Sequence, residues 1–248
     1  MVEPLFRVET QQLPAVGELV ALTGAEAKHA ISVRRMRVGE AIQLSNGHGL
    51  RVRGVVRSIT GNELIVQVGE ATQEARPAIE LHLAQALAKG DRDELAIQAA
   101  TELGVMSVIP WQADRSVSRW DAAKAVKGVE RWQTICTEAA KQALRVWHPG
   151  VQLPVTSKQL ATRLGDFDLV LVLEPTGTSS LASVLASAPA KLALVVGPEG
   201  GIDDSELALL EAAGAKLVHL GQEVLRTSTA GMAAIAATNA LLGNWSRG

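Results

Sequence analysis

Hydrophobic and polar positions follow two different rhythms along the chain. Between about Gly17 and Val68, short runs of alternating or β-branched apolar residues are separated by Gly and Asn, which is typical of strands joined by tight turns. Within this region, residues 24–37 instead repeat apolar positions at a helical period. The pattern therefore predicts a small β-barrel with one short helix.

After Pro77 the chain alternates between strands and helices. The longest predicted helix covers residues 120–144, and its apolar stripe includes Cys136 as a core residue. Strand and helix alternation is the signature of a mostly parallel sheet with helices on both faces. Five apolar, β-branched runs are the predicted strands: 79–87, 105–111, 168–175, 191–198 and 215–221.

Residues that break or cap secondary structure predict a domain boundary and the ends of the helices. The segment 69–77, GEATQEARP, is polar and ends in proline, which disfavours helix before it. We therefore expect a first domain at 1–72 and a second at 77–248. Helix starts are expected at capping boxes formed by Asp91 with Glu94 and by Asp203 with Glu206, and at a cap formed by Thr227 or Ser228; Gly104 is placed to end a helix.

Composition excludes several classes of protein. The 248 residues are 47% hydrophobic, yet no apolar run approaches the roughly 20 residues that span a bilayer, and the N-terminus lacks a secretory signal. A cytoplasmic protein without membrane contact is expected. The single cysteine excludes disulfides within the chain, and five scattered histidines form no ligand pair, so no bound metal is expected.

Positive charge is concentrated in one window. Residues 28–57 hold seven Lys or Arg and one acid, a charge of +6, whereas the whole chain carries −2 and the remainder therefore −8. A polyanionic partner explains this asymmetry, and a solvated strand face explains it equally well.

Two segments carry the candidate chemistry. The strand at 191–198 runs into the glycine-lined turn Gly197–Gly201, at a strand end of the kind where open α/β sheets bind ligands. The turn does not fit the dinucleotide or triphosphate patterns, and a structural turn without a ligand is the alternative. In the second segment, Arg226 precedes a helix of small residues. A guanidinium beside a buried helix start needs an anionic or carbonyl partner, which makes Arg226 a functional candidate.

Five strings in order, HAISVRRMRVGE, QLSNGHG, QALAKGDRDELAIQAATELGV, VVGPEGGIDDSE and LGQEVLRTSTAG, cover nearly the whole chain. In this order the chain resembles the bacterial 16S ribosomal RNA methyltransferases that modify uridine at ring nitrogen N3, members of the SPOUT superfamily. The resemblance implies a C-terminal α/β domain with a deep trefoil knot, preceded by a PUA-like RNA-binding β-barrel. Hydrophobic periodicity could not indicate a knot, since knots are very rare.

The resemblance also implies S-adenosylmethionine as cofactor, held in the knot largely by backbone groups. Arg226 is the expected catalytic side chain, because a fixed guanidinium would stabilise the charge that spreads onto the uridine oxygens when N3 loses its proton. A guanidinium stays protonated, so the general base is unidentified. The expected cofactor-binding residues are Leu173, Glu174, Gly197, Pro198, Glu199, Gly200, Gly201, Leu220, Gly221, Val224, Leu225, Thr229 and Ala230.

The implied partners are the 16S RNA of the small ribosomal subunit and a second copy of the chain in a homodimer. Two positions depart from the usual family pattern: Ser228 and Lys141 stand where relatives often have acids, so a carboxylate base at 228 is excluded. The expected RNA contacts are Arg34, Arg35, Arg37, Arg51, Arg53, Gln142 and Arg145.

Two alternatives stay open. One is a knotted methyltransferase with another RNA target, such as ribose 2′-oxygens or transfer RNA. The other is a non-catalytic RNA-binding or ribosome-assembly factor that keeps the fold.

Overall fold

The computed structural model describes residues 2–185 and 188–245. The chain forms two compact units, one of Met1–Arg76 with Ala140–His148 and the other of Pro77–Ala139 with Pro149–Gly248. The segment Ala140–His148 lies in sequence within the second predicted domain, but it belongs to the first unit. Its backbone shows why, since the Gly49 N–H donates to the Val146 carbonyl at 2.9 Å. Helical periodicity indicates which residues face inward, not which unit they face.

The first unit is built on a five-stranded sheet in the order β1-β3-β4-β5-β2, antiparallel except for the β1–β3 pair. A short helix α1, Gly24–Lys28, continues as a π-helix over His29–Val33. All five strands and both helical turns contribute buried residues to one hydrophobic cluster, as the predicted barrel requires. The strands are β1 Leu5–Arg7, β2 Leu19–Leu22, β3 Ala41–Ser45, β4 Leu50–Thr60 and β5 Glu63–Gln73.

The second unit is built on an eight-stranded sheet in the order β11-β13-β10-β12-β6-β7-β8, with β9 pairing to β7, and all its pairs are parallel. The five predicted strands are present, as β6, β7, β10, β12 and β13. The strands are β6 Glu80–Ala86, β7 Ser107–Gln112, β8 Gly150–Val151, β9 Val155–Thr156, β10 Leu169–Leu173, β11 Ser179–Ser180, β12 Lys191–Val196 and β13 Lys216–His219.

Helices cover both faces of this sheet. Alternate residues of β12 separate the two cores: Leu192 and Leu194 belong to one hydrophobic cluster, and Ala193 and Val195 to the other. Cys136 is fully buried in the first of these clusters, as predicted. The helices are α2 Arg92–Glu102, α3 Ala122–Gln142, α4 Ser157–Arg163, α5 Leu181–Val184, α6 Asp204–Ala212 and α7 Thr227–Leu241.

Strand β13 is inserted between two strands that precede it in the chain. This strand lies between β10 and β11, so the segment 174–178 that joins β10 to β11 must cross it. The crossing is close, since a Cβ on Gly177 would lie 3.0 Å from backbone atoms of Leu217 and Val218. After β13 the chain returns to α7, which packs on β6 and β12. The parallel sheet, with β13 inserted between β10 and β11, agrees with the predicted trefoil-knot fold class.

Two of the predicted helix caps are wrong. Asp91 precedes α2 in a left-handed conformation (φ 59°) and makes no side-chain cap; the Asp93 carboxylate instead accepts the Ala88 N–H at 3.0 Å. At α7 the N-cap residue is Arg226, whose side chain makes no capping hydrogen bond. The Thr227 hydroxyl donates to the Gly197 carbonyl instead of capping the helix. The Asp203 and Glu206 capping box of α6 is confirmed, and Gly104 follows α2 with φ 109°.

Candidate functional site

Three neighbouring parallel strands end around one cavity of about 460 Å³ in the second unit. The loops after β10, β12 and β13 supply most of its wall, and the starts of α2 and α7 complete it. The volume lies within the range of about 300–1,000 Å³ that is usual for small-molecule sites. The lining residues are Arg92, Leu173, Glu174, Pro175, Val196, Gly197, Pro198, Glu199, Gly201, Ile202, Val224, Leu225, Arg226, Thr227 and Ala230.

Most of the predicted cofactor residues therefore surround a single cavity. Leu220 and Gly221 line a smaller cavity of about 50 Å³, which shares five residues with the larger one: Leu173, Glu174, Pro175, Leu225 and Ala230. Gly200 and Thr229 line neither. A Cβ on Gly200 would lie 3.3 Å from the Cβ of Arg115, and the Thr229 hydroxyl donates to the Arg226 carbonyl at 3.2 Å.

The turn after β12 needs glycine for a packing reason. A Cβ on Gly197 would lie 2.6 Å from Cγ1 of Ile202, a buried side chain that cannot move aside freely. Gly201 adopts φ +74°, a conformation that favours glycine. The backbone of this turn can therefore approach a ligand at a place where a side chain would intervene.

Glu199 ties this turn to the start of α2. Its Oε1 accepts from the Arg92 guanidinium at 2.9 Å and from the Lys89 N–H at 3.2 Å. Burial raises the pKa of the Glu199 carboxyl, but backbone N–H donors and the Arg92 guanidinium lower it by more, and the resulting pKa lies below its usual value. Glu199 thus holds the loop as an anion, and Arg92 is a cavity residue that the sequence analysis missed.

A buried hydrogen-bond relay joins the ends of β6 and β12 to the start of α7. The Thr227 hydroxyl donates to the Gly197 carbonyl at 2.7 Å and accepts from Nε2 of Gln85, the penultimate residue of β6, at 3.0 Å. Gln85 is fully buried and Thr227 is 6% exposed. The relay fixes the start of α7 against the turn after β12. The sequence marked Thr227 only as a possible cap, and no sequence signal marked Gln85.

Arg226 lies at the mouth of the cavity, one residue before α7. The helix start beside it is buried at Thr227 and Ser228, as expected, but the Arg226 side chain itself is exposed, so its guanidinium does not need an anionic or carbonyl partner within the protein. An exposed guanidinium beside a concave site remains available to an incoming anionic group.

The turn and α6 rest on a second polar cluster. The buried Glu206 carboxylate accepts from the Asp114 N–H at 2.9 Å and from the Ser157 hydroxyl, besides closing the capping box with Asp203. Arg115 pairs with Asp203 at 2.9 Å. These bonds attach the loop after β7 to the start of α6, which keeps the end of the turn in a fixed place.

The predicted RNA contacts lie in the first unit. Arg34, Arg35, Arg37 and Gln142 are exposed, and Arg35 adopts φ +55°, an uncommon conformation for a side chain of this size. Arg53 is exposed, 4.0 Å from Glu70. Arg145 is half-buried.

Arg51 differs from the other predicted RNA contacts because its guanidinium is already bonded within the unit. It donates to Glu74 at 2.5 Å, to Oε1 of Gln43 at 2.6 Å and to the Leu144 carbonyl at 3.0 Å. Lys141 is likewise buried and pairs with Glu26 at 2.7 Å. These bonds attach the segment 140–148 to the sheet of the first unit.

Two features are absent from residues 2–185 and 188–245. No group of three or more His, Cys, Asp or Glu side chains there could hold a metal ion. Nor does any helix in those ranges combine the length and hydropathy needed to cross a bilayer.

Comparison with known proteins matches both units to RNA methyltransferases. The RNA methyltransferase domain family matches residues 75–239, and the RNA methyltransferase PUA domain family matches residues 22–69. Among solved structures, a ribosomal RNA small subunit methyltransferase E from Neisseria gonorrhoeae, bound to S-adenosyl methionine, superposes with a TM-score of 0.86 at 26% identity, covering 97% of this chain and 98% of that one. A methyltransferase from Legionella pneumophila with SAM bound gives a TM-score of 0.86 at 29% identity and the same coverage.

Sequence relatives agree with the structural ones. Ribosomal RNA small subunit methyltransferase E of Mycobacterium tuberculosis is 39% identical over 99% of this chain and 94% of the relative. The protein of the same name from Bacillus subtilis is 35% identical, with 88% of each chain covered. The chain therefore belongs to the RNA methyltransferase family that includes ribosomal RNA small subunit methyltransferase E.

Proposed function

We propose that this chain transfers a methyl group from S-adenosylmethionine to N3 of a uridine in the 16S RNA of the small ribosomal subunit. The observation that carries the proposal is the cavity enclosed by the loops after β10, β12 and β13, with the Arg226 guanidinium at its mouth. The names of the Mycobacterium tuberculosis and Bacillus subtilis relatives support the RNA target.

The cavity suits S-adenosylmethionine in shape and chemistry. Apolar residues such as Leu173, Ile202 and Leu225 line it beside exposed backbone at the turn 197–201, so an adenine could be read by main-chain groups in an apolar slot. When bound, the cofactor supplies a methyl group already activated on a sulfonium. The protein then contributes mainly position, through the Glu199 anchor and the Thr227 relay.

Arg226 is assigned to charge stabilisation. Methylation at N3 requires that the uridine N3 proton leaves, and the resulting negative charge spreads onto the two flanking carbonyl oxygens. A guanidinium held at the cavity mouth stabilises that charge and orients the base. Ser228, which replaces the family acid, is buried and offers no carboxylate, so the proton acceptor is not one of these two side chains.

The exposed arginines of the first unit are assigned to phosphate binding. Arg34, Arg35 and Arg37 surround the turn after the π-helix, and Arg53 lies on β4. Phosphate contacts give affinity and register without reading sequence. Gln142 and Arg145 are further assigned RNA contacts. We assign Arg51 a weaker direct part, because its donors are already engaged.

We also propose that the active form is a homodimer in the cytoplasm, where ribosomal subunits reside. Large apolar side chains are exposed on the second unit, among them Leu95 of α2, Leu241 at the end of α7 and Trp245. Exposed apolar groups on neighbouring helices favour a protein partner.

Two measurements test the proposed activity against its alternatives. Titration calorimetry with S-adenosylmethionine separates an enzyme from a non-catalytic assembly factor, since the factor would not bind the cofactor. Deleting the gene and analysing small-subunit RNA by mass spectrometry identifies the target. Loss of one methyluridine is the expected result, whereas loss of a ribose methyl group or of a transfer RNA methyl group would favour the other knotted methyltransferases.

A further inference from the structure

A cationic surface surrounds one tryptophan on the second unit. We define the Trp120 surface as Arg119, Trp120, Lys124 and Lys127, at the end of the loop after β7 and the start of α3. These residues line a shallow cavity of about 510 Å³, together with Ser118, Gly128 and Arg131. No acidic residue is among those that line it.

Trp120 is held as a fixed platform. A Cβ on Gly128 would lie 2.6 Å from the indole ring, so glycine in the middle of α3 lets the ring lie directly on the helix. Glycine in a helix interior is unfavourable by about 1 kcal/mol relative to alanine. The indole also packs edge-to-face on Trp132, with ring centroids 5.3 Å apart, and the backbone N–H of Trp120 donates to Oε1 of Gln112 at 2.9 Å. Trp120 nevertheless stays partly exposed and lines two cavities.

The cations beside Trp120 are exposed and largely available. Among the residues described for this unit, neither Arg119 nor Lys127 has a carboxylate within 4.0 Å, and Arg119 donates only to the Asp114 carbonyl. Lys124 makes one exposed contact with Asp121 at 3.7 Å, which is weak in water.

The surroundings make this cluster unusual. The second unit holds thirteen basic and eighteen acidic residues, a net charge of −5, whereas the first unit holds eleven and eight, a net charge of +3. The negative charge of the unit as a whole would repel a polyanion. The exposed cations around the Trp120 ring form a positively charged surface that could bind one.

The Trp120 surface leads towards the cavity of the candidate site. A second cavity, of about 470 Å³, shares Ser118, Trp120, Gly128 and Arg131 with it and extends to the loop Ala88–Asp91. The Lys89 N–H of that loop donates to Glu199, and Arg92 lines the cofactor cavity directly. The second cavity also contains the acids Asp91, Asp93 and Glu94 and shares no residue with the cavity of the candidate site; the two come together in the chain at Arg92, which lies between Asp91 and Asp93.

We propose that the Trp120 surface binds unpaired RNA next to the target uridine, with one base stacked on the Trp120 indole and adjacent phosphates on Arg119 and Lys127. Aromatic rings flanked by cations are the usual means of holding single-stranded nucleic acid, since every base has a face to stack and every nucleotide a phosphate. A uridine turned out of a helix leaves neighbouring nucleotides unpaired, and the surface holds them. The inference rests on the proposed function and adds a substrate-binding surface to it.

The first test removes charge with the double variant Arg119→Gln/Lys127→Gln. Methyl transfer to purified small subunits is measured over a range of subunit and salt concentrations. The KM for subunits is expected to rise about tenfold, with kcat and the Kd for S-adenosylmethionine unchanged. The dependence of log affinity on log salt is expected to become shallower by about 1.4, since each lost contact to single-stranded RNA removes about 0.7.

The second test removes the ring with Trp120→Leu, against Trp120→Phe as the conservative variant. The leucine variant is expected to raise the KM for subunits about tenfold without changing the salt slope, because stacking involves no phosphate; phenylalanine should restore most of the affinity. Thermal unfolding is followed in parallel. If the leucine variant fails to fold, the charge variant still decides the matter.

Lys158→Gln is the matched control, because Lys158 is an exposed lysine of α4 on the same unit outside this surface, and it should leave the KM unchanged. A double variant with the wild-type KM and salt slope would overturn the proposed surface. The wild-type enzyme is the internal reference. If it methylates subunits while the variants match it, only the Trp120 surface is wrong; if it transfers no methyl group, the proposed function itself fails.

Discussion

Arg226 is the residue whose replacement separates binding from catalysis. It lies at the cavity mouth and is bonded to neither Glu199 nor the Thr227 relay. Arg226→Ala is expected to lower kcat by about 10²–10³, the usual effect of losing one charge-stabilising donor, with little change in the Kd for S-adenosylmethionine. Arg226→Lys keeps the charge but loses the planar guanidinium, so its kcat should lie between those of the wild type and the alanine variant. An alanine variant with wild-type kcat would show that the assignment is wrong.

Thr227 tests whether the buried relay shapes the cofactor site. Thr227→Val keeps the shape of the side chain but removes the hydroxyl that donates to the Gly197 carbonyl and accepts from the Gln85 amide. The free energy of unfolding should fall by about 1–3 kcal/mol, and calorimetry should show weaker S-adenosylmethionine binding. Thr227→Ser keeps the hydroxyl and serves as the control. Equal cofactor affinity in the valine variant and the wild type would remove the relay from the site.

His148 makes the stability of the protein depend on pH. Burial, followed by the charges of Arg7, Arg145 and Lys141, lowers the pKa of His148 from 6.5 to about 4, and its Nε2 has no partner in the first unit as described. The unfolded chain therefore binds a proton at His148 more readily than the folded chain does. The folded state keeps its full stability above pH 6.5 and loses part of it as the pH falls towards 4. At about 1.4 kcal/mol per pH unit, the loss reaches about 3 kcal/mol. Denaturant unfolding of wild type and His148→Gln across this range measures it, and identical pH profiles would contradict the assignment.

At the scale of elements, the turn after the π-helix and strand β4 should respond differently to loss of an arginine. Arg35→Gln changes an exposed side chain, so it should weaken RNA binding and reduce the salt slope by about 0.9 without affecting stability. Arg51→Gln breaks three bonds of a side chain that is only 17% exposed, so it should lower the free energy of unfolding by about 1–3 kcal/mol. Filter binding and thermal unfolding of both variants test the contrast, which the reverse pattern would refute.

Long elements were predictable from sequence, and short or tertiary ones were not. Strands such as β6 and β12 have apolar runs long enough to be recognised in the sequence, and α3 repeats its apolar stripe over several turns. The two-residue strands β8, β9 and β11 contain no period at all. They exist because neighbouring backbone is positioned to pair with them.

The candidate site shows the same division. The turn 197–201 was predictable, because glycines after a buried strand have a specific backbone reason. Gln85 and Arg92 were not, since an amide within an apolar strand and an arginine at a helix start become informative only when the fold brings them to the cavity. The knot came from resemblance alone, because hydrophobic patterning does not encode threading.

At the scale of the molecule, the exposed apolar end of α7 predicts self-association. Leu241 and Trp245 are each 53% exposed, and Leu95 is 50% exposed on the helix that packs beside α7. Sedimentation equilibrium should give twice the 26.1 kDa mass of the chain. Leu241→Lys should shift the protein towards monomer by burying an unpaired charge at the interface. An exposed control such as Lys216→Gln should stay dimeric, and a monomeric wild type would contradict the proposal.

The central claim concerns one atom of one nucleotide, and the most direct measurement identifies that atom. Wild-type protein is incubated with isotopically labelled S-adenosylmethionine and small ribosomal subunits from cells that lack the gene, and the RNA is digested to nucleosides for mass spectrometry. The account predicts label in 3-methyluridine, approaching one methyl group per 16S RNA. Label in a ribose 2′-oxygen or in another base, or no transfer by protein that binds the cofactor, would contradict it.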